Sequence, residues 1–175
     1  MLQPYCLRTE TWPLSDNCPL RSGVRLAVDV GSARVGVARS DREGLLASPL
    51  ATVPRGSGDL DHIASLAGED ELIEIIVGLP TSLSGTEGPA AMDARAFAAA
   101  LAARLAPVPV RLFDERFTTV IAHDALRRGG KDSRDRRLVI DKAAAALLLQ
   151  GALDAERSTG RAVGELVPSA PGGRG

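Results

Sequence analysis

Apolar residues fall into short β-rich runs from Val24 onward. Val24 to Val30, Val35 to Ser40 and Leu45 to Val53 are separated by Gly31-Ser32 and by Asp41-Arg42-Glu43-Gly44, both turn-forming, and predict a three-stranded meander. Asp59 offers an N-cap for a short helix through Ile63 and Leu66, and Leu72 to Val77 is a compact β-branched run of the buried, parallel kind. Pro89 stands near a helix start, and Ala91 to Leu105 reads as alanine-rich helix stopped by Pro107 and Pro109. Val108 to Phe113 predicts a further strand. Thr118 to Arg128 reads as helix ended by Gly129-Gly130, and Asp135 to Ala155 as a long terminal helix. A meander followed by strands alternating with helices predicts an α/β protein, a mixed sheet with helices on its faces and ligands beyond the carboxyl ends of its strands.

The flanks lack this periodicity. Residues 1–23 are expected to be a flexible extension, 24–156 the folded domain, and 157–175, rich in Gly, Pro and Ser, a disordered tail. The chain has 175 residues, 45% of them hydrophobic, which suffices for one buried core and excludes most two-domain enzymes. Cys6 and Cys18 match no zinc or redox spacing. Pro4, Arg8, Glu10 and Pro13 interrupt any signal-peptide run, and no apolar run approaches the roughly 20 residues a membrane span needs. A soluble cytoplasmic protein without membrane contact is expected.

A net charge of -1 provides no global field toward nucleic acid, so any such surface must be local. One candidate is the segment carrying Arg127, Arg128, Lys131, Arg134, Arg136 and Arg137, whose only acids are Asp132 and Asp135. Its balance is +4 and leaves -5 for the rest. Such a run is either a solvated loop or a phosphate-binding connection. With aromatics at 3%, and Phe97 and Phe113 expected in the core, little remains for a base-stacking platform. His62 and His123 are isolated and receive no catalytic role.

Three acids stand where acids are costly. Asp29 ends the first strand beside Val28 and Val30, where it is either a turn cap or a ligand. Asp114 and Glu115 follow Val110-Arg111-Leu112-Phe113, with Arg116 beside them; strand alternation sends one acid to each sheet face. Asp141 is the most informative, because helical spacing aligns it with Leu138, Ala145, Leu148 and Ala152, inside the apolar stripe. A carboxylate there must be protonated, paired with a cation or coordinated to metal. If two strand ends and one helix face converge, the result is an oxygen-rich site suited to magnesium or manganese, and hence to phosphodiester hydrolysis.

Taken together, Arg25-Leu26-Ala27-Val28-Asp29-Val30-Gly31, Arg34-Val35-Gly36-Val37-Ala38, Val77-Gly78-Leu79-Pro80, Gly85 with Glu87-Gly88-Pro89, Asp114-Glu115-Arg116-Phe117-Thr118-Thr119 and Ile140-Asp141-Lys142-Ala143-Ala144 closely resemble the YqgF, or RuvX-type, family. Its members are described as Holliday-junction resolvases and nucleases of pre-16S ribosomal RNA. The resemblance covers about Val24 to Ala155. It implies an RNase H-like fold with a five-stranded mixed sheet flanked by helices. Carried over by motif, Asp29, Glu115 and Asp141 are expected to be catalytic and to bind Mg2+ or Mn2+, with Asp114 and Arg116 in support. Arg34 joins the basic segment as a nucleic-acid contact. Structured RNA is the leading expected substrate and branched DNA the alternative, acted on by a monomer or a homodimer.

Two other classes compete. Asp29-Val30-Gly31-Ser32 also resembles the first phosphate loop of actin and sugar-kinase ATPases, but no second such motif follows. A non-catalytic RNA-binding or ribosome-assembly module suits the near-neutral charge, yet such a module gains nothing from carboxylates facing phosphates.

Overall fold

The computed structural model describes residues 21–68, 72–81, 86–114 and 134–168; for 134–142 it describes the backbone and not the side chains. β1 (Val24–Val30), β2 (Arg34–Ser40) and β3 (Ala47–Pro54) form the expected meander. They are followed by α1 (Asp59–Ala67), β4 (Leu72–Leu79), α2 (Pro89–Arg104), β5 (Val110–Asp114), α3 (Arg134–Thr159) and β6 (Glu165–Leu166). The sheet order is β3-β2-β1-β4-β5-β6. β1 pairs antiparallel with β2 and parallel with β4, β4 runs parallel to β5, and β6 returns antiparallel along β5.

β1 and β4 are apolar almost throughout because both of their faces are covered. On one face Leu26, Val28, Ile75, Val77 and Leu112 pack with Ile63 of α1 and with Phe97, Ala98 and Leu101 of α2. On the other, Ala27, Ala38, Ile76 and Phe113 meet Ala145, Leu148, Leu149, Ala152 and Leu153 of α3. Alanines at 27, 38, 145 and 152 keep this second interface thin, so helix and sheet can approach closely. Phe97 and Phe113 are buried, as expected.

Three expectations are corrected. The sheet has six strands rather than five, and the segment from Arg157 is not wholly a disordered tail. α3 continues to Thr159, and Val167 is buried beside Val110 and Leu112, its N–H donating to the Val110 carbonyl at 2.9 Å. Composition concealed this because a single buried valine and a short backbone pairing suffice to dock the segment. Gly164 allows the approach, with φ +81° directly against the Leu112 carbonyl. The third correction concerns α1, whose cap is Gly58. Asp59 is the first helical residue and accepts the Gly56 and Leu60 N–H groups at 3.1 and 2.7 Å. Of the expected N-terminal extension, residues 1–20 lie outside the described residues, as does the helix expected over Thr118 to Arg128.

Among the described residues, charges enter this core at one end. Arg25 and Glu74 interrupt β1 and β4 on the α3 face, each 1% exposed, and meet Glu156 near the end of α3. Arg25 Nη2 donates to Glu156 Oε1 at 2.9 Å. Arg21 donates to both Glu156 oxygens at 2.7 and 2.9 Å and to Glu74 at 2.7 Å, and Arg111 Nε donates to the other Glu74 oxygen at 3.0 Å. Three arginines thus surround two buried carboxylates. The junction orients α3: its carboxyl end lies at the amino ends of β1 and β4, so α3 runs opposite to them. Gln150 ties the same helix to the β2–β3 turn, accepting from Ala47 N–H at 3.0 Å and donating to the Leu45 carbonyl at 3.2 Å.

Removing one partner leaves another buried charge uncompensated, so Glu74→Ala is expected to cost about 3–5 kcal/mol in urea unfolding. Burial pushes the Glu156 pKa up, but Arg21 and Arg25 outweigh it and hold it below its ordinary 4.5. A depressed folded-state pKa contributes stability that is fully present above the unfolded value and lost as pH falls through the folded one. Thermal melts should therefore be flat from pH 7 to about 5.5 and decline below about 4.5, with a shallower acid slope in Glu156→Gln.

Candidate active site

β1, β4 and β5 are parallel, so their carboxyl ends share one edge of the sheet, opposite to the Arg25-Glu74-Glu156 junction. Asp29 stands on this edge, half-buried, one residue before the end of β1 and opposite Gly36 in β2. It shares its strand face with Ala27, hence with α3. Asp114 ends β5, half-buried, in register with Leu79 of β4. It lies on the other face, with Leu112, where the Thr81 hydroxyl donates to its Oδ1 at 2.7 Å.

α3 carries Asp141 toward the same edge. Ala145 packs in the cluster that contains Ala27. Asp141 lies four residues before Ala145, about 6 Å along the helix axis, and Asp29 lies two residues beyond Ala27, about 6.6 Å along the strand. Because helix and strand run in opposite directions, both steps lead to the carboxyl edge. The apolar stripe inferred for this helix is present at Ala145, Leu148 and Ala152. The side chain of Asp141, all of Glu115 and Arg116, and Arg127, Arg128 and Lys131 of the basic segment lie outside the described residues. Arg134, Arg136 and Arg137 fall in the first turns of α3, with side chains likewise outside, and Arg34 is half-buried at the start of β2.

The loop after Asp29 is tightly determined. Gly31 N–H donates to the Arg34 carbonyl at 2.9 Å, and a Cβ on Gly31 would stand 2.7 Å from that oxygen. Arg55 braces the turn. Its guanidinium donates to the Gly31 carbonyl at 3.3 Å and to both Asp93 oxygens at 2.9 and 3.1 Å, and lies 5.0 Å from the Phe97 ring centroid. Arg55 in turn holds the Asp93 carboxyl below its usual range. Sequence reading passed over both Arg55 and Thr81, because each acts through a partner remote in the chain.

Beside Asp114 opens a cavity of about 520 Å³ floored by Leu79, Leu112 and Phe113 and rimmed by Thr159 and Arg161. This lies within the size range of ligand sites. Among the described residues no three His, Cys, Asp or Glu side chains are grouped to hold a metal, and no helix is long and apolar enough to cross a membrane. The candidate donor that is described, Asp29, offers hard carboxylate oxygens at a half-buried rim. This chemistry fits a hydrated divalent cation better than zinc, which favours nitrogen and sulfur.

A mixed six-stranded sheet with helices on both faces and acids at the carboxyl edge defines an α/β protein. Within that class the family model described as RuvX, Holliday junction resolvase, matches residues 23–155, and the chain belongs to this family. A relative from Thermobifida fusca is 61% identical over 159 residues, covering 87% of this chain and 100% of its own length. One from Nocardioides is 58% identical, covering 85% and 98%. Both are named "Putative pre-16S rRNA nuclease". Among solved structures, T. thermophilus RuvC in complex with Holliday junction substrate aligns over 78% of this chain and 96% of its own, at 14% identity and a TM-score of 0.44.

Since a Cβ at position 31 must displace the Arg34 backbone, Gly31→Ala is expected to lower stability by about 1–2 kcal/mol in urea unfolding. Faster amide exchange should be confined to the β1–β2 turn.

Proposed function

We propose that this protein is a divalent-metal-dependent nuclease that hydrolyses phosphodiester bonds in the precursor of 16S ribosomal RNA. The observation that supports this reading is that Asp29 stands at the carboxyl end of β1, while α3, whose Ala145 packs in the same cluster as Ala27, runs opposite to β1 and so leads its Asp141 turn toward that edge. The names of the two relatives supply the RNA.

In this reading Asp29, Glu115 and Asp141 hold Mg2+ or Mn2+, three carboxylates balancing the charge of hydrated divalent ions beside a polyanion. Such ions, when bound, lower the pKa of a water and stabilise the leaving oxygen. The protein's part is orientation. The Gly31 turn and its Arg55 brace keep the end of β1 from relaxing away from the edge. The small-residue packing of α3 fixes its distance from β1. Asp114 and Arg116 support Glu115. Arg34, together with Arg127, Arg128, Lys131, Arg134, Arg136 and Arg137, meets the phosphate backbone, which carries most of the affinity and makes it salt-dependent.

The family description favours a second reading with the same chemistry, a resolvase of four-way DNA junctions. Such an enzyme would act as a homodimer, because two symmetric strands must be cut.

The deciding experiment incubates the full chain, with Asp29→Asn and Asp141→Asn beside it, with end-labelled precursor RNA and a four-way DNA junction in magnesium and in manganese. Discrete cleavage of the RNA that falls at least about 100-fold in both variants is expected. Cleavage of the junction alone would establish the resolvase. Binding by all three proteins with no cleavage in either metal would make the protein an RNA-binding module.

A further inference from the structure

We propose that Arg55 is a positioning residue for Asp29, aimed by Asp93 of α2, and that this pair governs metal requirement and turnover. The proposal rests on the nuclease reading above and deepens it. Asp29 is followed within two residues by Gly31, so the path of the β1–β2 turn decides where the end of β1 presents its carboxylate. Arg55 grips that turn at two points. Its backbone N–H donates to the Ala33 carbonyl at 3.0 Å, and its Nη1 donates to the Gly31 carbonyl at 3.3 Å. The first bond needs only a backbone and survives a side-chain change; the second depends on the guanidinium.

What fixes the guanidinium lies mainly on α2. Asp93 and Phe97 are four residues apart and hence on one face of that helix. Asp93 accepts from Nη1 and Nη2 at 2.9 and 3.1 Å, a fork-on-fork pair, and the Phe97 ring centroid lies 5.0 Å from the guanidinium carbon. Asp59, at the start of α1, stands 3.7 Å from Nε. Phe97 is itself 6% exposed, packed with Leu26, Val28 and Val77 in the core. The turn after Asp29 is thereby referenced through α2 to the packed interior. Hydrogen bonding to Asp93 raises the Arg55 pKa, so the pair stays ionised through the neutral range.

Magnitudes separate this role from two others. The Asp93 side chain is 47% exposed and that of Arg55 24%, and an ion pair so placed contributes little to folding. The Arg55 charge is balanced by Asp93 and Asp59, so substrate affinity should depend on it weakly. A small displacement of a metal-holding carboxylate, in contrast, lowers rate steeply. Lysine would keep the charge without the fork.

The test compares the full chain with its Arg55→Met, Arg55→Lys, Asp93→Asn, Arg55→Met/Asp93→Asn and Asp29→Asn variants. It measures single-turnover cleavage of the substrate the wild type cuts, the Mg2+ concentration for half-maximal rate, substrate Kd by fluorescence anisotropy, Tm, and amide exchange in metal-free protein. Arg55→Met is expected to need at least about threefold more Mg2+ and to cleave at least about tenfold more slowly at saturating metal, with Kd within about twofold and Tm within about 5 °C. Exchange in the β1–β2 turn should quicken in Arg55→Met and Asp93→Asn without metal. Arg55→Lys should recover less than half of the lost rate. Asp93→Asn, an isosteric change at an exposed position, should lose less than Arg55→Met, and the double variant no more than Arg55→Met alone, because Asp93 acts through Arg55. Wild-type rate in Arg55→Met, full recovery by lysine, a defect confined to Kd, unchanged exchange in the turn or multiplied losses in the double variant would each overturn the positioning role and leave the nuclease reading intact. A wild type that cuts neither RNA nor junction, or cuts no faster than Asp29→Asn, overturns the nuclease reading and the positioning role with it.

Discussion

The contact of Glu156 with Arg25 and Arg21 sets the path of α3, and the rest of the molecule follows from that path. Helix packing on alanines is shape-tolerant; Ala145 and Ala152 against Ala27 and Ala38 specify closeness and leave direction open. Buried ions are less tolerant. Glu156, 3% exposed, has its charge balanced only where Arg21 and Arg25 stand at the amino end of β1, and Gln150 adds a second fixed point at the β2–β3 turn. With its carboxyl end held there, α3 must run back across β1 toward the opposite edge.

The two edges of the sheet consequently divide the charged residues by role. At the amino edge, Glu74 and Glu156 are surrounded by arginines whose hydrogen bonds close on one another, an arrangement suited to fixing structure. At the carboxyl edge, Asp29 and Asp114 stand at strand ends, half-buried, on opposite faces. Among the described residues, Arg55 reaches this edge by donating to the Gly31 carbonyl and to Asp93. Such an edge sets the carboxylates of Asp29 and Asp114 at a half-buried rim.

Much of the architecture was legible from residue order. The strand runs, the alanine-rich helix begun by Pro89 and the stripe Ala145, Leu148, Ala152 each follow from local pattern, because one buried face imposes its period on the sequence. The same stripe, read four residues further, reaches Glu156; it thus has an acid near each end, and the amino-acid types alone do not say which is ion-paired. Arg25 and Glu74, charged positions inside apolar runs, were a readable sign of burial with a partner. β6 was not readable, since its docking depends on Val167 and on a backbone pairing that any sequence of suitable conformation could make.

What the chain determined by itself was therefore local: which segments are strands or helices, which face of each is apolar, and that Asp29 and Asp114 stand at the ends of strands. Tertiary structure decided the relations among them: the order β3-β2-β1-β4-β5-β6, the direction of α3, and the links from Thr81 to Asp114 and from Arg95 to Glu87 and Glu165. The physical reason is range. Periodicity records how each residue is divided between core and water, whereas an ion pair or hydrogen bond between residues 33 or 70 positions apart leaves no period to read.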